Sequence, residues 1–204
     1  MTTVIRGGTV YDGRGGPGYE ADVVVRDGVV AEILGPGSPA PEGEVIDASG
    51  CWVTPGFVDL HTHYDAEVEV TPGLTESVRH GVTSVLFGSC GLSMAVGEPE
   101  DMADMFCRVE GIPREQVLPL LERIVDWSSP GEYLHHLRQL PLGPNVTAML
   151  GHSTVRAHVM GLERSLSEDV RPTRDELLRM GRMLQGALED GYLGLSINLS
   201  LIHI

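Results

Sequence analysis

Two imidazoles stand one residue apart in the run "GFVDLHTH" at residues 56–63, at His61 and His63. Alternate side chains of a β-strand share a face, so Asp59, His61 and His63 point one way and Val58, Leu60 and Thr62 the other. Cα atoms two apart on a strand are separated by roughly 6.6 Å. Rings from two such positions can converge on one ion with Zn–N bonds of about 2.0–2.1 Å. A bare His-x-His is more often a pair of loop histidines, so the motif needs support from elsewhere in the chain. Cys90 supplies it. It follows His63 by 27 residues, one β-α-β step, with Gly88 and Gly91 leaving room around it. Thiolate and imidazole are both good zinc ligands.

The elements that must position these donors are visible in the patterning. Residues 1–54 are strand-like and rich in turns. "TVIRGGTVYDG" alternates, "ADVVVRDGVVAEIL" reads as a hairpin turning at Asp27-Gly28, and "EVIDASGCWVTPG" gives two short strands about a Gly turn. They predict part of a small β-domain. From residue 55 strands and helices alternate. The predicted strands cover 56–63, 82–90, 145–152 and 193–198. A helix is predicted near 72–80 with Thr71 as its cap. "PEDMADMFCRVEG", "PREQVLPLLERI" and "PGEYLHHLRQL" form a helical insertion, and "TRDELLRMGRMLQGALEDG" is an amphipathic helix closed by Gly191. Repeated β-α units predict a parallel sheet, as in the first half of a (β/α)8 TIM barrel spanning 55–198. His61, His63, Cys90 and His152 then fall at strand C-terminal ends, where β/α barrels place their chemistry.

Other candidates are weaker. Asp59 either orients a ligand histidine or fills a polar layer between strands. His152 either approaches substrate or metal, or is a hydrogen-bonded structural residue. His80 suits a helix end, and His135 and His136 are expected to face solvent. Cys51 and Cys107 are expected to pack, as are the methionines that recur at helical spacing.

Composition excludes several classes. The 204 residues carry a net charge of −15, and every one of the 14 basic residues is Arg. No basic cluster exists to bind nucleic acid or an anionic membrane surface. No apolar run reaches the length of a membrane span, and the N-terminus has no secretory pattern. Three scattered cysteines give no disulfide framework, so a reducing cytoplasm is expected.

"EVIDASGCWVTPGFVDLHTHYD" resembles the entry strand of the metal-dependent amidohydrolase superfamily. "VLFGSCGLSMAV", "FCRVEGIP", "DWSSPGEYLHHL", "NVTAMLGHSTVR" and "GYLGLSIN" resemble, in that order, its N-acyl-D-amino-acid deacylase (D-aminoacylase) branch. The resemblance implies a small β-sandwich domain, only part of it within residues 1–54, ahead of the barrel. It implies a Zn2+ site at His61, His63 and Cys90, and an N-acyl amino acid as substrate. It also implies further histidine ligands and a catalytic aspartate on later strands, which have no counterpart here. Hydantoin and dihydropyrimidine hydrolases share this N-terminus but bridge two metals with a carboxylated lysine, and this chain contains no lysine.

The expected function is therefore zinc-dependent hydrolysis of a linear amide by the full-length protein, with this chain an inactive N-terminal fragment. The alternatives are a non-catalytic scaffold of the same fold, or a hydrolase of cyclic amides such as hydantoins and dihydropyrimidines. Oligomeric state, acyl group and side-chain preference are left open. The last six residues, "LSLIHI" (199–204, His203 included), depart from the pattern and read as a sequencing-adapter scar.

Overall fold

The structure, a computed structural model, describes residues 1–198. The tail read as an adapter scar lies outside the described residues. The chain divides into two compact units, Met1–Gly56 and the part from Phe57 onward.

The first unit is one sheet of five strands: β1 (Thr2–Val10), β2 (Tyr19–Arg26), β3 (Val29–Leu34), β4 (Glu44–Asp47) and β5 (Trp52–Val53). β1 is the hub, antiparallel to β2 and parallel to β4 and then β5. Its register shifts between Ile5 and Gly8, where a Cβ on Gly8 would lie 2.5 Å from the Val53 side chain. The β2–β3 hairpin turns at Asp27 and Gly28, both at positive φ (51° and 80°), as a two-residue Asp-Gly turn requires. Of the sandwich architecture, one layer is present among the described residues.

The second unit is mixed α/β. Its strands are β6 (Phe57–Asp59), β7 (Val82–Phe87), β8 (Asn145–Ala148), β9 (Leu150–Gly151) and β10 (Leu195–Ser196). β6, β7 and β8 pair in parallel in that order, and β9 pairs in parallel with β10. Main-chain bonds from Met149 to Phe87 and from Leu193 to Ala148 carry the ladder across the break at Met149. Four successive parallel strands in chain order form a partial β/α barrel. The helices are α1 (Thr75–Arg79), α2 (Pro99–Glu110), α3 (Arg114–Ile124), α4 (Pro130–Leu137), α5 (His152–Met160), α6 (Leu162–Leu166) and α7 (Arg174–Asp190). Proline opens α2 and α4, where its missing N–H costs nothing. α7 opens with a reciprocal Thr173–Glu176 capping box and ends at Gly191 in the left-handed region. One core joins them, built on Phe87, Met94, Met102, Phe106, Leu121 and Leu150.

Several expectations need correction. The strand predicted over 56–63 stops at Asp59, because Asp59 Oδ1 accepts the N–H of His61 (3.1 Å) and turns the chain. The strand predicted over 82–90 stops at Phe87, because Gly88 and Cys90 are left-handed. The helix near 72–80 is only α1, preceded by a single 3-10 turn at Glu67–Glu69. Thr71 does not cap it; its hydroxyl donates back to the Glu67 carbonyl (3.2 Å). α5 and α6 were not anticipated, and His152 opens α5 instead of closing a strand. His136 does not face solvent. Its Nε2 lies 2.9 Å from the buried Glu69 carboxylate, and its ring packs on Trp127 at 4.6 Å. Burial raises Glu69 above the usual carboxylate range, against the opposing pull of His136. Cys51 is exposed and not packed.

Candidate metal centre

Past β6 the alternation of the strand persists because Thr62 is pinned. Its N–H (3.2 Å) and its hydroxyl (2.7 Å) both donate to the Leu86 carbonyl of β7, and its side chain is buried. With Thr62 fixed toward β7, His61 and His63 turn to the opposite side. Their ring centroids lie 5.4 Å apart with planes at 60°.

Past β7 the chain makes a tight 3-10 turn at Ser89–Gly91 that projects Cys90. The turn runs through left-handed backbone at Gly88 (φ 72°), Cys90 (φ 55°) and Gly91 (φ 79°). Space is the second constraint. A Cβ on Gly88 would sit 1.9 Å from the Met149 carbonyl oxygen, and one on Gly151 would sit 2.6 Å from that of Gly91. Ser196 of β10 clasps the turn: its hydroxyl donates to the Gly88 carbonyl and accepts the Gly91 N–H at 3.0 Å. Ser93 is held in turn, its N–H donating to Thr154 Oγ1 (2.9 Å) and its hydroxyl accepting the Gly151 N–H (3.1 Å).

The two strand ends meet. His61 Nε2 lies 3.1 Å from Cys90 Sγ, and one donor atom from each of His61, His63 and Cys90 lies within 4.8 Å of the others. Across a tetrahedral zinc, nitrogen and sulfur donors are separated by about 3.6 Å. The three donors thus lie near the separations that a tetrahedral zinc requires, and the two-imidazole, one-thiolate donor set suits it chemically.

The remaining candidates do not join this cluster. Asp59 holds the main chain of His61 and not its ring. His152, at the start of α5, is half-buried, and burial together with Arg156 pushes its imidazole below its ordinary value. Asp65 was missed by sequence reasoning. It continues the 59–61–63 alternation by one more step, which is the signal that marked it, and its carboxylate is buried (1% exposed). Two surface clefts of about 380 and 460 Å3 are lined by helical residues, among them Arg182 and Leu162, and neither touches the three donors. Among the described residues, no helix is long and apolar enough to cross a membrane.

Comparison with known proteins identifies the family. An uncharacterised protein of Mycobacterium tuberculosis is 51% identical over 195 residues, covering 95% of this chain and 32% of its own length. The D-aminoacylase of Alcaligenes xylosoxydans xylosoxydans is 34% identical, covering 95% of this chain and 37% of its own length. The crystal structure of N-acyl-D-glutamate deacylase from Bordetella bronchiseptica, complexed with zinc and a phosphonate inhibitor, superposes with a TM-score of 0.78 at 33% identity. That match covers 97% of this chain and 38% of the other. The chain thus spans about a third of the length of these relatives, 32% to 38%. A model of the amidohydrolase family matches residues 44–203, and the chain belongs to that family.

Proposed function

We propose that the full-length protein hydrolyses the amide bond of an N-acyl-D-amino acid, with zinc held in part by His61, His63 and Cys90. The observation that carries the proposal is the convergence of two imidazoles and a thiolate from two adjacent parallel strand ends. When bound, zinc would lower the pKa of a coordinated water and polarise the acyl carbonyl. The residues of this chain do the holding. Thr62 fixes which way the imidazoles face, and the glycine-lined turn sets the thiolate against them. Among the described residues no carboxylate joins the three donors; we propose that the general base is supplied by the rest of the full-length protein and that this segment alone does not turn over. Two of the relatives named above are a D-aminoacylase and an N-acyl-D-glutamate deacylase, which supports the substrate class. The absence of lysine disfavours a carboxylated-lysine bridge. Three free cysteines suit the reducing cytoplasm.

The test is metal analysis and turnover of N-acyl-D-amino acids by the full-length protein and its Cys90→Ala variant. Stoichiometric zinc and activity in the wild type, with both largely lost in the variant, are expected. A variant that keeps both would make Cys90 a packing residue and refute the assignment.

A further inference from the structure

Asp65 lies two residues beyond His63, on the segment that carries both imidazoles, yet it bonds to the other strand end. Its Oδ2 accepts the N–H of Gly88 and its Oδ1 accepts the N–H of Met94, each at 3.4 Å. Gly88 and Met94 are the two ends of the loop that presents Cys90. The carboxylate is buried, and burying a charge is expensive unless it is compensated. A neutral amide of similar size would avoid that cost but has only one acceptor oxygen for the two N–H groups. The position nevertheless holds an acid, whose two equivalent oxygens can accept from both ends of one loop at once. The loop needs such a clamp. Cys90 is a non-glycine residue at φ 55°, a strained conformation that persists only when its surroundings over-determine it.

We propose that Asp65 is a positioning residue for the cysteine ligand: it ties the His61/His63 segment to both ends of the Cys90 loop and so fixes the distance between thiolate and imidazoles. This rests on the metal reading given above. Asp65→Asn is the informative change, because it keeps the volume but turns one acceptor into a donor that faces an N–H. Outer-shell partners of metal ligands typically contribute 10–100-fold to affinity.

The experiment titrates the metal-free full-length protein with Co2+, reading the thiolate-to-cobalt charge-transfer band. Tyr192→Phe serves as control, since it removes a buried hydrogen bond, from the Tyr192 hydroxyl to the Pro130 carbonyl (3.0 Å), that belongs to neither the histidine segment nor the Cys90 loop. Asp65→Asn is expected to bind Co2+ about 10–100-fold more weakly with a diminished band, while Tyr192→Phe stays within about threefold of wild type. A wild-type band with an unchanged Asp65→Asn would overturn the proposal and leave the metal reading standing. Equal losses in both variants would also overturn it, by reducing Asp65 to general stability. No band in the wild type would sink the metal reading and this proposal together. Should Asp65→Asn not fold, hydrogen exchange on the wild type decides: strong protection of the Gly88 and Met94 amides is expected, and fast exchange at both refutes the clamp.

Discussion

After β6 the chain leaves an edge strand whose Phe57, Val58 and Leu60 are all exposed, and His61 itself is exposed. The local Asp59 turn shapes it, and its ties to the neighbouring strand are the two hydrogen bonds of Thr62 to Leu86 and, past the histidines, the Asp65 clamp on Gly88 and Met94. After β7 the chain leaves a strand whose last three residues, Val85, Leu86 and Phe87, are buried. Its turn is closed by a serine from β10, a serine–threonine pair at α5 and two glycines without room for a Cβ. The cysteine end is rigid and built from distant parts of the chain, whereas the histidine end is local and adjustable. Adjustment at the histidine end is then a matter of side-chain torsions, as at the exposed His61 ring, while Asp65 keeps the main chains of the two ends together.

Four changes would break or sharpen that contrast. Gly88→Ala should be the most damaging, since the new Cβ meets the Met149 carbonyl at 1.9 Å from backbone already at φ 72°. A loss of about 3 kcal/mol or more is expected in urea unfolding, and a loss under 1 kcal/mol would mean the rigid end is not rigid. Ser196→Ala removes the partner of the Gly91 N–H and a donor to the Gly88 carbonyl. Its expected cost is about 2 kcal/mol, with weaker Co2+ binding, because buried groups lose their bonds. Unchanged affinity there would show that the clasp serves stability alone.

Thr62→Val should cost about 1 kcal/mol, because the Leu86 carbonyl keeps the N–H of residue 62 when the hydroxyl is lost. If it abolishes metal binding, the histidine end is less adjustable than its tethers imply. The smallest effect belongs to α7, which leads into β10 and hence to Ser196. Glu176 bonds Arg164 and the Thr173 cap, which pull its carboxyl from 4.5 to about 2. A depressed carboxyl stabilises the fold above its ordinary value and loses that contribution as pH falls toward about 2. Glu176→Gln should therefore flatten the acid limb of the stability profile between pH 4.5 and about 2, read as urea midpoints. Glu69, raised by burial, has the opposite slope: its contribution is present in acid and is lost as pH rises through its raised value.

Legibility in the sequence followed the range of the interaction. Asp27-Gly28 specified a hairpin because both left-handed residues belong to the turn itself. Thr173-x-x-Glu176 and the closing Gly191 fixed the ends of α7 by the same local logic. Helix α5 escaped notice because His152–Met160 is a mostly buried helix with little amphipathic pattern to read. His136 looked like a solvent residue because its partner, Glu69, lies 67 positions away.

For the site, the sequence by itself determined the donor types, their two-residue spacing and the single β-α-β step between histidines and cysteine. Those are properties of strand periodicity and side-chain chemistry, which act over a few residues. Only the tertiary structure decided how far each strand runs, that Asp59 serves a main-chain N–H, and that Asp65, Ser196 and Thr154 hold the cysteine turn. Ser196 acts on Gly91 from 105 residues away, and no local pattern encodes a hydrogen bond that exists only once the parallel strands have lined up.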